Sequence, residues 1–111
     1  DEETFLKDAM RNFNQKDSVA NSPYTRRLWV TMTRLQQDLG DPDALLMYGH
    51  QALRMYEDVQ DYSFNYALLL HNIAMGYLLK KDYLSAKLYI DEAVYNFMIL
   101  YGLIILVTLK I

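Results

Sequence analysis

The residue types that most often do chemistry are few in this sequence and are poorly placed for it. The two histidines, His50 and His71, fall on different predicted helices, and neither has the i, i+4 histidine partner typical of a metal site. The glycines are isolated rather than grouped in a phosphate-binding loop, and cysteine is absent. Carboxylates such as Asp41 and Asp82 stand at predicted helix starts, where capping explains them better than acid–base work. The sequence therefore predicts no enzyme, no metal and no cofactor.

Residues 69–97 are the segment around which the rest of the chain is arranged. Apolar residues at three- and four-residue spacing form one face of a first helix, and a second such face follows over residues 82–97. The small residues Ala74, Ala86 and Ala93 are what two helices need to approach closely. The segment therefore predicts a helical hairpin.

The same unit occurs earlier in the chain, over residues 28–56. An aromatic, an alanine and an aromatic at four-residue spacing appear at Phe5, Ala9 and Phe13, at Tyr48, Ala52 and Tyr56, and at Tyr89, Ala93 and Phe97. Three copies in register indicate a repeat protein. We expect an unpaired second helix over 2–15 with Phe5 and Leu6 on its buried side, one repeat over 23–58, another over 62–101, and an apolar segment over 103–111. Ser22-Pro23 and Asp41-Pro42 are expected helix starts, with turns near 16–22, 40–41, 59–62 and 81.

The repeat resembles a known family. The stretch KKDYLSAKLYIDEAV is similar to the turn and second helix of a tetratricopeptide repeat, with Asp82, Ala86 and Ala93 where that family's pattern has them. Trp29 and Gly40 match its tryptophan and turn glycine in the earlier copy. The spacing exceeds the family's common period of about 34 residues. The resemblance covers about residues 26–97 and implies an all-α fold, an α-solenoid of stacked helical hairpins.

The resemblance also implies where a ligand would bind. Stacked hairpins curve, and their first helices line a concave groove that suits an extended peptide. The residues expected in this groove are Arg27, Thr31, Arg34, Gln37, Leu68, His71, Asn72 and Met75. Asn72 is the strongest candidate for a ligand contact, because tetratricopeptide grooves often hold a peptide backbone with an asparagine at the matching place. The alternatives are a solvated polar role for Asn72 and ordinary surface charges for Arg27 and Arg34.

The overall charge argues against nucleic acid as a partner of this segment. There are 14 acidic and 11 basic side chains, a net charge of −3, whereas phosphate binding requires a basic face. The N-terminal residues are acidic and do not resemble a signal peptide, so we expect a cytoplasmic protein. Because the chain begins on a second helix without its first, we interpret it as a segment of a longer protein.

The end of the chain, residues 98–109, is almost wholly apolar. It is shorter than the roughly 20 residues that a membrane span requires, and we expect no membrane. Gly102 is expected to break the last helix and to leave 103–111 as a short helix or a strand. We favour a buried capping segment, with a subunit contact and membrane association as the alternatives.

The sequence as a whole favours a module that binds a peptide or a protein partner. Resemblance to the sensor part of bacterial peptide-responsive regulators fits its long, tyrosine-rich repeats, and the DNA-binding domain of such a regulator would lie outside this chain. The alternative is a structural scaffold that forms homo-oligomers through residues 103–111. An enzyme is least favoured, because no nucleophile, base and orienting group can be assembled.

Overall fold

The computed structural model consists of helices throughout the part of the chain that it describes, residues 1–14 and 21–109, and for residues 9–14 this description covers the backbone alone. The helices are α1 (Glu2–Asn14), α2 (Pro23–Leu39), α3 (Pro42–Asp58), α4 (Phe64–Leu79) and α5 (Tyr83–Leu109). The all-α prediction is confirmed. Most of the predicted turn at 16–22 lies outside the described residues.

Short polar residues begin the helices, as the sequence predicts. Side-chain oxygens of Ser22, Asp41 and Asp82 each accept a hydrogen bond at 3.1 Å from the backbone amide three residues further on. These bonds pair amides that have no partner within their own helix. Pro23 and Pro42 occupy the first turns of α2 and α3, where a missing N–H costs nothing.

Three of the helices end in the same kind of turn. Gly40, Gln60 and Lys81 follow α2, α3 and α4 with positive φ angles of 72°, 55° and 63°. In all three turns, the next backbone amide donates at 2.9 Å to the carbonyl five residues before it. This bond satisfies a carbonyl that the helix leaves unpaired. The predicted role of Gly40 is confirmed, whereas the left-handed conformation of Gln60 and Lys81 was not predicted.

The pair of helices α2 and α3 is repeated as α4 and α5 after a constant interval in the sequence. The interval from Pro23, which starts α2, to Phe64, which starts α4, equals the interval from Pro42 of α3 to Tyr83 of α5. Helix α2 packs against α3 and α4, α3 packs against α4, α4 packs against α5, and α1 packs against α2. The two first helices, α2 and α4, are therefore neighbours.

Small residues let α3 and α4 approach closely. A Cβ added at Gly49 would lie 2.8 Å from Ile73 Cγ1, and one added at Gly76 would lie 2.6 Å from Leu45 Cδ2, both too close for carbon atoms. Larger apolar side chains fill the space beside this contact. The main core consists of Val30, Ala52, Leu53, Tyr56, Tyr66, Leu69, Leu70, Ile73 and Ala93.

Helix α1 packs on α2 through Leu6 but not through Phe5, although both were predicted to be buried. Phe5 is 68% exposed, so its predicted burial is wrong, whereas Leu6 is 5% exposed and joins the core of α2 beside Leu28 and Met32. Consecutive helical positions point about 100° apart, so a helix that presents Leu6 to its neighbour turns Phe5 away. The side chains of Ala9 and Phe13 lie outside the described part of the chain.

The predicted break at Gly102 is wrong. Helix α5 continues through this residue to Leu109, and residues 103–109 are neither a separate helix nor a strand. One glycine inside a helix costs only about 1 kcal/mol relative to alanine, so it does not by itself end the helix. The predicted burial of the segment is also wrong, because residues 103–109 are all exposed. Residues 110 and 111 lie outside the described range.

Candidate functional site

A small cavity lies between the two first helices, α2 and α4. Its volume is about 140 Å³. The residues that line it are Arg27, Val30, Thr31, Arg34, Asn65, Leu68 and Asn72. Five of the eight residues expected in a groove therefore come together around one cavity: Arg27, Thr31, Arg34, Leu68 and Asn72.

The other three expected residues do not line the cavity. Gln37, His71 and Met75 are half-buried on the same two helices. Asn65 was missed by the sequence reasoning, because it falls in the first turn of α4, close to where that helix was expected to begin. It stands two helical turns before Asn72 and so shares its face. That spacing could have revealed it.

Asn72 is the most unusual residue of the cavity. It is 3% exposed, and its buried side-chain nitrogen has no hydrogen-bond partner among the described residues. Leaving a buried donor unpaired costs about 1–3 kcal/mol, so such groups are rare in folded proteins. Because solvent does not reach this nitrogen, the Asn72 side chain would have to rotate towards the cavity to donate to an acceptor that enters from outside.

Thr31 offers the complementary hydrogen-bonding group. Its hydroxyl donates to the carbonyl oxygen of Arg27, one turn earlier, at 2.9 Å. The hydroxyl oxygen keeps lone pairs that can accept a hydrogen bond. The cavity thus combines an amide donor at Asn72 with a hydroxyl acceptor at Thr31, and a peptide backbone presents one acceptor and one donor in each residue.

Two exposed arginines add positive charge to the cavity wall. Arg34 Nη1 lies 3.1 Å from Asp38 Oδ2, and about half of each side chain is exposed. An exposed pair of this kind contributes about 0–1 kcal/mol, so a ligand carboxylate could replace Asp38 at little cost. Within the described residues, no carboxylate lies at ion-pair distance from Arg27. Both arginines can therefore contact an anionic group.

The neighbouring residue, Arg26, has a structural role instead. It is 6% exposed, and its Nε and Nη2 donate to Asp61 Oδ2 at 3.2 and 3.1 Å. Its Nη1 donates to the carbonyl oxygen and the side-chain oxygen of Asn21, and its guanidinium lies 5.4 Å from the centre of the Tyr56 ring. This network holds the start of α2 against the turn between α3 and α4 and leaves Arg26 unavailable to a ligand.

His50 also belongs to a packing cluster. Its Nε2 lies 2.9 Å from the hydroxyl of Tyr77, and its ring contacts that of Tyr89 edge-on. Burial lowers the pKa of His50 below its usual value, and the charge of Arg54 lowers it further. Over residues 1–14 and 21–109, no group of three His, Asp or Glu side chains is arranged to hold a metal ion.

Helix α5 is distinguished by its exposed apolar surface. By length and composition alone, it is long and apolar enough to cross a membrane, and it is the one such helix in the described residues. Core helices of soluble proteins can pass the same test, but they are mostly buried. Only 6% of the most apolar stretch of α5 is buried. This stretch of α5 therefore lies mostly outside the core formed by the described residues.

The role of the cavity has to be inferred from its own chemistry, because comparison with known proteins finds no match. No family model matches the chain, and no curated protein or solved structure matches it. The positions of the helices and the groups that line the cavity are thus the observations on which a function can be proposed.

Proposed function

We propose that this chain is a peptide-binding module of the tetratricopeptide type, which holds an extended peptide across its first helices, α2 and α4. The observation that carries the proposal is Asn72, which lines the cavity between these helices and whose buried amide nitrogen has no hydrogen-bond partner among the described residues. A peptide carbonyl would supply the missing acceptor. Holding a peptide in this way involves no chemical reaction, so the proposal includes no cofactor.

The arrangement of the helices supports this function. In helical-hairpin repeats the first helices stand side by side and form the ligand groove. Here α2 and α4 are in contact, and their starting residues are separated by the same interval as those of α3 and α5. The tetratricopeptide assignment depends on this spacing together with the sequence pattern.

The size and charge of the cavity limit the ligand. Pockets that enclose a whole small molecule usually measure about 300–1,000 Å³, and this cavity of about 140 Å³ is smaller. It fits one side chain or a chain terminus, while the rest of a peptide would lie across the surface. Arg27 and Arg34 favour a carboxylate in or beside it. We therefore propose an extended peptide with an acidic side chain or a free C-terminus, such as a peptide-responsive regulator would sense.

Replacing Asn72 tests the proposal directly. The probe is a displayed random peptide library with free C-termini, selected on the parent protein, and the dissociation constants of enriched peptides are then measured by calorimetry. Asn72→Ala should weaken binding by about 1–3 kcal/mol, or roughly five- to hundredfold, because a peptide acceptor loses its donor. The control is Asn96→Ala on α5, whose side chain donates to the carbonyl of Glu92 and should not affect binding.

Replacing Arg34 in the same assay tests the charge. Arg34→Ala should weaken binding less than Asn72→Ala, and more at low salt than at high salt, because an exposed charge is screened. Arg54→Ala on α3 is the matched control and should leave affinity unchanged. Enriched peptides that bind Asn72→Ala as tightly as they bind the parent would contradict the proposal, provided that circular dichroism shows both proteins folded.

A further inference from the structure

A second, larger concavity lies at the other end of the chain. It measures about 450 Å³ and is an open groove beside the C-terminal half of α5. The groove is apolar throughout. The residues that line it are Phe64, Val94, Phe97, Met98, Leu100, Tyr101 and Ile104. We call this surface the α5 groove.

The repeat spacing indicates which kind of structural element would pack in the α5 groove. Val94 and Phe97 occupy the positions in α5 that Leu53 and Tyr56 occupy in α3. Leu53 and Tyr56 are 9% and 1% exposed, and they pack in one core with Tyr66 of the following helix, α4. Val94 is 48% exposed in the equivalent position. The α5 groove is therefore the surface on which another helix would pack, as α4 packs on α3.

The exposed part of α5 is itself an apolar helix of the kind that could pack in this groove. Eleven large apolar side chains between 94 and 109 are 38–75% exposed, and no charged residue occurs over 93–109. Val94, Phe97, Tyr101 and Ile104 follow the alternating three- and four-residue spacing of a helix-packing stripe.

We propose that a second copy of the chain covers the α5 groove. The two α5 helices would run antiparallel about a two-fold axis near Tyr101, so that the end of each helix lies in the groove of the other. This symmetry places Met98 beside Ile104 of the partner subunit, and both are residues of the groove. The contact is closed and self-complementary, as in most homodimers. One arrangement thus covers both the groove and the projecting end of the helix.

The apolar area that α5 exposes is unusually large. From the exposed fractions above, the side chains between 94 and 109 present on the order of 1,000 Å² of surface per copy, counted on all sides of the helix. The largest apolar patch on a monomer is usually about 300–600 Å². The surface is therefore larger than a monomer normally exposes.

The length of the apolar stretch favours a second copy over a lipid bilayer. The N-terminal half of α5 carries Lys87, Asp91 and Glu92, and Ala86 and Ala93 pack it against α4. The uncharged stretch beyond Ala93 comprises residues 94–109 in the described chain, which span about 24 Å at about 1.5 Å per residue. The hydrocarbon core of a bilayer is about 30 Å thick. Membrane binding is retained as an outcome of the test.

Light scattering of the full chain measures the assembly. We expect twice the monomer mass for the parent. Ile104→Asp should reduce it to the monomer mass, because it places a charge in the groove. Leu106→Asp is the matched control, with the same charge on the same exposed helix but outside the groove, and it should remain dimeric. A monomeric parent, or equal loss of mass in both variants, would overturn the proposal.

Disulfide cross-linking tests the geometry, because the chain contains no cysteine. Tyr101→Cys should form a covalent dimer under mild oxidation, since the two-fold axis brings both copies of this position together. Leu106→Cys, which points away from the contact, should not. Cross-linking of Leu106→Cys without that of Tyr101→Cys would overturn the antiparallel arrangement.

Flotation with neutral phosphatidylcholine vesicles distinguishes a bilayer from a second copy. We expect the parent to remain unbound and dimeric. If the parent binds the vesicles, and if both Ile104→Asp and Leu106→Asp abolish this binding, the result would overturn the proposed dimer in favour of a lipid contact. None of these outcomes depends on the cavity between α2 and α4, so the dimer and the peptide site can fail independently.

Discussion

Adjacent residues of α2 show how strongly the role of a side chain depends on the helical face that it occupies. Arg26 is buried and fully engaged with Asn21 and Asp61, whereas Arg27, one position later, lines the cavity and is exposed. A rotation of about 100° per residue separates the two environments. Arg26 therefore stabilises the fold, and Arg27 remains available to a ligand.

Ala93 is the residue at which packing can be tested most simply. It is 1% exposed in the core between α4 and α5, so Ala93→Leu should overpack the contact and lower the free energy of unfolding by about 1–3 kcal/mol. Val59→Leu is the control: Val59 is exposed in the turn after α3, away from the α5 groove, and the change should have an effect within about 0.5 kcal/mol. Urea unfolding measures both, and equal midpoints for Ala93→Leu and the parent would contradict this packing.

At the scale of the helices, the equivalent turns at Gly40 and Lys81 differ in backbone strain. Both residues have left-handed φ angles, 72° and 63°, and both are followed by the same backbone hydrogen bond. Glycine adopts this conformation freely, whereas a residue with a Cβ pays roughly 1–2 kcal/mol. The second turn is therefore strained where the first is not.

Exchanging the residues at these turns should change stability in opposite directions. Lys81→Gly should raise the free energy of unfolding by about 1 kcal/mol, and Gly40→Lys should lower it by about the same amount, because only the first change removes strain. Lys81→Ala is the control, since it removes the charge but keeps the Cβ, and should have little effect. A gain of stability in Lys81→Ala equal to that in Lys81→Gly would attribute the effect to charge instead.

The sequence predicted the helices well where local signals mark their ends. Ser22-Pro23 and Asp41-Pro42 begin helices through caps that need only neighbouring residues, and the structure confirms both. The length of α5 could not be predicted in this way. Gly102 has the same local preference whether a helix stops or continues, and the β-branched residues Ile104, Ile105 and Val107 favour a helix only weakly, so no local signal distinguishes the two outcomes.

The site was predicted only in part, for a related reason. Helical periodicity identifies which residues share a face, and it correctly indicated that Arg27, Thr31 and Arg34 would lie together on α2. It does not determine how far along α4 that face meets α2. The cavity lies towards the N-terminal half of α4, so it includes Asn65 and excludes Met75.

For the whole molecule, the two proposed contacts lie on different surfaces. The cavity lies between α2 and α4, whereas the α5 groove is formed by α5 and the first residue of α4. A dimer formed through α5 would therefore leave both cavities open to peptide. Two sites in one assembly would strengthen capture of a ligand that carries two copies of the recognised sequence.

The buried tyrosines predict how the stability of the whole fold changes at high pH. Burial raises the pKa of Tyr56 and of Tyr66 to about 12, and the nearby charges of Asp61 and Glu57, respectively, contribute to the rise. An unfolded tyrosine titrates near pH 10. Between these values the unfolded chain loses protons that the folded chain keeps, so the contribution of these two tyrosines to the free energy of unfolding should be constant below about pH 10 and be lost as the pH rises towards 12.

The slope of this fall should depend on Tyr56, which is 1% exposed. A tyrosine whose pKa rises from about 10 to about 12 on folding contributes at most roughly 2–3 kcal/mol over this range, and because the rings of Tyr56 and Tyr66 are 6.3 Å apart, their contributions are not additive. Tyr56→Phe removes one titrating group, so its stability should fall less steeply with pH. Tyr95→Phe on the exposed side of α5 is the control and should follow the parent. Urea unfolding at a series of pH values measures the slope, and identical slopes for Tyr56→Phe and the parent would show that this ring is not protected from ionisation in the folded chain.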